Sequence, residues 1–148
     1  MSSSPPVIIL PPWIMPPASR EPFEWAGSVL MPAVGSVAVV VSFTVPPGRN
    51  GVIVRIANST TNGNEQDGTG DLIWQILQNG VPIENFENVV SSLGAVWQPS
   101  EVSNIGIRAQ DLIQLVCTNV SLPSTGQLSG RLGGWYYPQN LEYGSYLA

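Results

Sequence analysis

From residue 37 onward, apolar residues come in strand-length runs separated by turn-forming residues. Val37-Ala38-Val39-Val40-Val41-Ser42-Phe43-Thr44-Val45 is β-branched and stops at Pro46-Pro47-Gly48. Residues 51–58 form the next run, and residues 59–70 a polar loop rich in Gly and Asn. Residues 71–78 follow, then Asn79-Gly80, the dipeptide best suited to a type I′ hairpin because both central residues must take positive φ. Residues 81–86 are the expected return strand. Residues 89–97 continue the pattern, interrupted by Gly94 and closed by Gln98-Pro99. Residues 102–109 alternate, with Ile105 and Ile107 on one face. Residues 111–119 are another β-rich run, and a Leu122-Pro123-Ser124-Thr125-Gly126 turn leads into a last strand over residues 127–137.

No helical period extends over eleven residues. About eight strands at this spacing predict a sandwich or barrel. Apart from Asn79-Gly80 the connections are wide, which suits strands that cross between two sheets as in a jelly roll. An immunoglobulin-type sandwich would often place a Cys pair around a Trp, and Cys117 is the only cysteine. The longest apolar stretch, residues 29–45, contains Pro32, Gly35, Ser36, Ser42 and Thr44. A membrane helix needs about 20 apolar residues, so the stretch reads as one or two buried strands.

Residues 1–24 are different. They hold Pro5, Pro6, Pro11, Pro12, Pro16, Pro17 and Pro22, half of the 14 prolines. Proline fixes φ and lacks the amide donor, which excludes an interior helix or a central strand. The segment predicts an extended, partly polyproline II arm. Between the prolines stand Val7-Ile8-Ile9-Leu10 and Trp13-Ile14-Met15, where a solvated linker would carry small or charged residues. Each such side chain left in water forgoes about 1.5–3 kcal/mol. Ile8, Ile9, Leu10, Trp13 and Ile14 are therefore expected to bind a partner, the alternative being an arm folded on its own domain. As a secretion signal the run is too short and lacks a basic flank.

Composition narrows the chemistry. The chain of 148 residues has no His and no Lys, five Arg against ten Asp plus Glu, a net charge of −5, and 10% charged residues. Without His, a Ser-His-Asp triad and a His-ligated zinc are excluded; without Lys, so are a Schiff base and a phosphate-loop lysine. Five scattered Arg on an acidic chain do not make a nucleic-acid footprint. A lone Cys117 in an apolar strand, with no His to activate it, predicts a buried inert thiol. With 43% hydrophobic residues, the surface is expected to be too apolar for an isolated domain.

Four groups of residues could carry chemistry. Residues 62–71 resemble a calcium loop in composition, but in EF-hand register Asp67 falls where Gly is required and Ile73 where Glu is required. Glu84 with Glu87, and Asp67 with Asp71, are carboxylate pairs without a sign of a cleft. Trp135, Tyr136 and Tyr137, with Tyr143 and Tyr146 in the tail, could contact a sugar or a protein, or could fill the core. Arg49, Arg55, Arg108 and Arg131 are expected to pair bidentately with carboxylates or sit in an interface.

Several segments together resemble the small jelly-roll proteins of tailed bacteriophage virions: Val45-Pro46-Pro47-Gly48-Arg49, Gly70-Asp71-Leu72-Ile73-Trp74, Gln78-Asn79-Gly80, Gln110-Asp111-Leu112-Ile113 and Gly130-Arg131-Leu132-Gly133-Gly134-Trp135. The resemblance spans about residues 37–138. It implies a capsid decoration (cement) protein, often trimeric, whose arms run across neighbouring capsid subunits.

The expected fold is thus all-β, a jelly-roll-like antiparallel β-sandwich over residues 25–138. An extended Pro-rich arm over residues 1–24 precedes it and a tail over residues 139–148 follows. The expected function is a non-enzymatic virion structural protein on the capsid surface. Its partners would be the major capsid protein and copies of itself, as a homotrimer. No catalytic residue, cofactor, metal, nucleic acid, membrane or small-molecule substrate is expected. A carbohydrate- or receptor-binding module of a head fibre, neck or tail tip is the alternative, and a glycosidase-like sandwich is third.

Overall fold

The computed structural model describes residues 19–61, 71–83, 89–90, 96–97 and 105–140. Among these it has ten strands and no α-helix, so no helix long and apolar enough to cross a membrane. The strands are β1 (Glu21–Leu30), β2 (Val37–Thr44), β3 (Arg49–Thr60), β4 (Leu72–Gln78), β5 (Val81–Pro82), β6 (Val89–Val90), β7 (Val96–Trp97), β8 (Ile105–Ile107), β9 (Leu112–Asn119) and β10 (Gln127–Pro138).

They form two antiparallel sheets. Sheet A runs β1-β10-β3, with β7 and β8 both on the far side of β3; sheet B runs β2-β9-β4, with β5 and β6 both on the far side of β4. The pairs nest: β1 with β10, β2 with β9, β3 with β8, β4 with β5. A single antiparallel ribbon that wraps so that successive segments alternate between two sheets produces this nesting, and it is the jelly roll. Counting β5 with β6 and β7 with β8 as interrupted single strands leaves eight. The fold is therefore the all-β sandwich that the strand spacing predicts.

Two boundaries differ from the sequence reading. Strand β1 begins at Glu21, inside the segment assigned to the arm, and pairs along its length with β10. Pro22 is tolerated because β1 is an edge strand, where a missing amide donor leaves no ladder bond unmade on the open side. The run over residues 89–97 is not one strand: Val89–Val90 belongs to sheet B and Val96–Trp97 to sheet A.

Inward residues of both sheets meet in one core. Ile53, Ile56, Leu128 and Leu132 from sheet A face Leu72, Trp74, Ile76, Ile113 and Leu115 from sheet B. The thiol of Cys117, which is in no disulfide, lies in this core, fully buried. The alternation is reset by bulges. In β2 the register with β9 shifts between Val39 and Val41, so Val40 and Val41 are both buried while Val37 and Val39 point outward. In β3 the register with β10 shifts between Ile53 and Arg55, and Ile53 and Ile56 both reach the core.

Local turn chemistry holds the ends. Asn79 (φ 53°) and Gly80 (φ 83°) are both left-handed, the backbone of the type I′ hairpin expected at that dipeptide. Buried Asn119 donates from Nδ2 to the carbonyls of Pro32 and Leu122, both at 2.8 Å, and accepts from Leu122 N–H. One amide thereby ties the β1–β2 and β9–β10 connections together, with its buried polar atoms satisfied.

Candidate interaction surfaces

The fold sorts charge by sheet. Every charged residue within a described strand belongs to sheet A: Glu21, Glu24, Arg49, Arg55 and Arg131. Register explains how they meet. Glu24, Gly133 and Arg55 occupy one cross-strand row, and Gly133 has no side chain between the other two. A Cβ there would sit 2.7 Å from the Arg55 guanidinium, so the guanidinium lies over the glycine and reaches toward Glu24. Arg55 Nη2 is 3.9 Å and Arg131 Nε 3.5 Å from Glu24; Arg49 Nε is 3.9 Å from Glu21. These are single, solvent-exposed contacts, each worth at most about 1 kcal/mol. Arg49, Arg55 and Arg131 thus have carboxylate partners, but through single contacts and not in the bidentate geometry expected.

Sheet B is the opposite. Its strands VAVVVSFT, LIWQILQ, VP, VV and LIQLVCTN contain no charged residue. Its outer face follows from the register: Val37, Thr118 and Ile73 in one row; Val39, Val116 and Gln75 in the next; then Ser42, Gln114 and Leu77; then Thr44 beside Leu112. Val37 is 58%, Val39 45% and Leu112 38% exposed. Edge strands in free-standing proteins are normally blunted by charge or Pro. Edge β1 has Glu21, Pro22 and Glu24; edge β2 has none of these.

Where the β1 and β2 edges close the sandwich, an aromatic group fills the gap. Phe23 stacks on Tyr136 (centroids 4.4 Å apart), and Trp25 stacks on Phe43 (5.4 Å, 11° between planes). Trp25 Nε1 donates to the Tyr136 hydroxyl at 3.1 Å, yet 43% of Trp25 remains exposed. Burial of the phenol holds the Tyr136 pKa above its ordinary value; Trp25's donation works the other way, and the Glu21 charge adds to the rise. Tyr136→Phe should cost about 1 kcal/mol, since Trp25 Nε1 can turn to water, and leave the strands intact. A urea midpoint that falls by several times that amount would mean the hydroxyl supports more than Trp25.

Of the alternatives open for Trp135, Tyr136 and Tyr137, contact or core, burial decides against contact for the two tyrosines in the described structure. Tyr136 is 4% and Tyr137 1% exposed, and Trp135 is half-buried. Tyr136 belongs to the core. Tyr137 pairs in register with Asn50 on the other side of sheet A, where Asn50 and Val52 are also fully buried. Neither tyrosine presents a platform. Trp25 presents an exposed indole among the described residues.

Ile8, Ile9, Leu10, Trp13 and Ile14 lie outside the described residues, as do residues 62–70, Glu84, Glu87, Tyr143 and Tyr146. Asp71 accepts a hydrogen bond from Ser121 Oγ. Among the described residues no three His, Cys, Asp or Glu gather in a way that could hold a metal. A shallow depression of about 450 Å³ on sheet A lies over Ala26, Ser28, Ala57, Ser59 and Ser129 with Arg131 beside them; no carboxylate lines it. The chain matches no protein-family model, and neither the curated proteins nor the solved structures contain a significant match to it.

Proposed function

We propose that this chain is a non-enzymatic structural protein of a tailed-phage virion, a decoration or cement protein on the capsid surface. It would stabilise the head by bridging capsid subunits, as a homotrimer bound to the major capsid protein. The observation that carries the reading is the segregation of charge. A jelly roll with an uncharged, partly exposed valine-rich sheet face, preceded by an uncharged arm of large apolar residues, is built to be covered by other chains. The resemblance of the turn and strand segments to virion jelly rolls supplies the context. The sandwich also serves as a rigid mount, so that the arm need not contribute to the core.

The test is occupancy on phage heads stripped of this chain. The full chain should rebind to saturation. A chain lacking residues 1–18 should keep its β-type circular dichroism and lose occupancy. Trp13→Ala should weaken binding by tenfold or more, because Trp dominates interface hot spots at about 2 kcal/mol each. Full occupancy by the truncated, folded chain would remove the arm from the docking role. Failure of the full chain to bind any head would overturn the virion reading.

A further inference from the structure

We propose that Asn79 is a latent deamidation site, which the folded hairpin keeps closed and whose product holds the junction between the β4–β5 and β8–β9 turns apart. The proposal is independent of the virion reading, and no phage head enters its test.

The chain has three Asn-Gly dipeptides, at Asn50, Asn62 and Asn79. Asn62 lies outside the described residues. Asn50 is fully buried inside β3, with its Oδ1 accepting from Ala109 N–H. Asn79 and Gly80 are both exposed at a hairpin tip, open to water and base. Glycine matters there because no Cβ shields the amide nitrogen that follows the asparagine. The reaction needs only water. The Gly80 amide gives its proton to a solvent base, and its nitrogen attacks Asn79 Cγ. A new N–C bond closes a five-membered succinimide, the Cγ–Nδ2 bond breaks, and Nδ2 takes up a proton and leaves as ammonia. Water then breaks one of the two C–N bonds of the ring. An aspartyl or isoaspartyl residue stands at position 79, ionised and carrying a new negative charge.

In the folded hairpin the ring cannot close. Closure requires Gly80 N to eclipse Asn79 Cβ about the Cα–C bond. Asn79 is left-handed, with φ 53°. At the ψ of about +47° typical of that region, Gly80 N lies nearly opposite Cβ. Roughly half a turn about Cα–C is needed, which would turn over the 79–80 peptide and break the pairing of Gln78 with Val81. The side chain is pinned as well. Nδ2 donates to Asp111 Oδ1 at 2.9 Å, Oδ1 accepts from Leu112 N–H at 2.8 Å, and the Asn79 N–H donates to the Leu112 carbonyl at 2.8 Å. The Asp111 contact holds the leaving group itself. Once ammonia has gone the change is one-way. A second carboxylate then stands where Nδ2 met Asp111, and like charges so close repel.

Peptide mapping by mass spectrometry follows position 79 in the full chain at mildly alkaline pH, with the chain in urea as the unprotected reference. Breaking two side-chain hydrogen bonds, one of them to a carboxylate, should make the folded chain react about a hundredfold more slowly than the unfolded one. Asp111→Ala removes the charged partner and should react about tenfold faster than the native chain; Asp111→Asn, which keeps one oxygen, should fall between the two. Gly27→Ala, on β1 in the other sheet, should stay within about twofold of the native rate, because global unfolding is too rare to carry the reaction. A native rate equal to that in urea, or Asp111→Ala no faster than Gly27→Ala, would overturn the gate. Asn79→Asp carries the product's charge from the start. Its Ile83 amide, which donates to the Ile76 carbonyl across the hairpin, should exchange hydrogen about tenfold faster than in the native chain. Unchanged exchange at Ile83 would overturn the claim that the product holds the junction apart.

Discussion

Gly134→Ala should be the most damaging glycine-to-alanine change among the described residues, lowering stability by about 3–5 kcal/mol and the melting temperature by about 10–15 °C. A Cβ at Gly134 would lie 1.8 Å from the Val52 carbonyl oxygen and 3.1 Å from Ile53 Cα. The obstruction is backbone, so no rotamer change relieves it. It sits where β10 pairs with β3 across a register shift, in the interior of sheet A. Moving either strand would disturb pairings on both of its sides. Gly27 meets a comparable obstacle, the Val40 carbonyl at 1.9 Å, but it lies on edge strand β1, which can shift outward. Gly27→Ala should therefore cost less, about 1–3 kcal/mol. Gly106 on β8 has open space, and Gly106→Ala should stay within about 0.5 kcal/mol. Urea midpoints for the three variants should fall in that order. Equal midpoints for Gly134→Ala and Gly106→Ala would mean that the β3–β10 contact yields far more easily than its geometry implies.

Much of this fold is legible in the sequence, and the physical reason is local. The Asn79-Gly80 turn depends on two residues that tolerate positive φ, and both take it. Ile105 and Ile107 are buried with Gly106 exposed between them, as their alternation indicates. The β2 bulge was not readable, because a run of valines has no alternation for a bulge to break. The start of β1 was misplaced because Pro22 continues the proline-rich block. Only knowledge that β1 is an edge would have admitted it to a sheet.

The surfaces were less legible. Consecutive tyrosines in a strand point to opposite faces, so Tyr136 and Tyr137 cannot both enter one core. At that end of sheet A both faces are covered, as the buried Asn50 and Val52 show, and the sequence carries no signal of it. The uncharged face of sheet B is present in the composition of residues 37–44, 72–78 and 112–119. It becomes a face only when the strand order makes those three segments neighbours. Trp25 was missed for the same reason: its stacking on Phe43 joins two edges from different sheets.

A second large effect is expected at Asp111, whose carboxylate joins the β4–β5 hairpin to the β8–β9 turn. Oδ2 accepts from Gln78 Nε2 at 2.6 Å and from Arg108 N–H at 2.9 Å; Oδ1 accepts from Asn79 Nδ2 at 2.9 Å. Asn79 closes the junction by accepting from Leu112 N–H through Oδ1 and donating its own N–H to the Leu112 carbonyl. Partial burial by itself would raise the Asp111 pKa. The hydrogen bonds from Asn79, Gln78 and Arg108, with the Arg108 charge, outweigh it and leave the carboxyl below its ordinary 3.8. A carboxylate that is more acidic folded than unfolded stabilises the fold above the unfolded pKa, and that contribution is lost as pH falls through the lower folded value. Asp111→Ala removes three acceptor contacts to an ionised group, and with allowance for partial exposure should cost about 2–3 kcal/mol at pH 7. Asp111→Asn keeps one acceptor oxygen and should cost about half of that. The gap in melting temperature between the native chain and Asp111→Asn should be widest at neutral pH and narrow below about pH 4 as the native carboxylate protonates. A gap that stays constant down to pH 2 would mean that shape rather than charge makes the junction, and Gln78, Asn79 and Arg108 would then need another reason to converge on it.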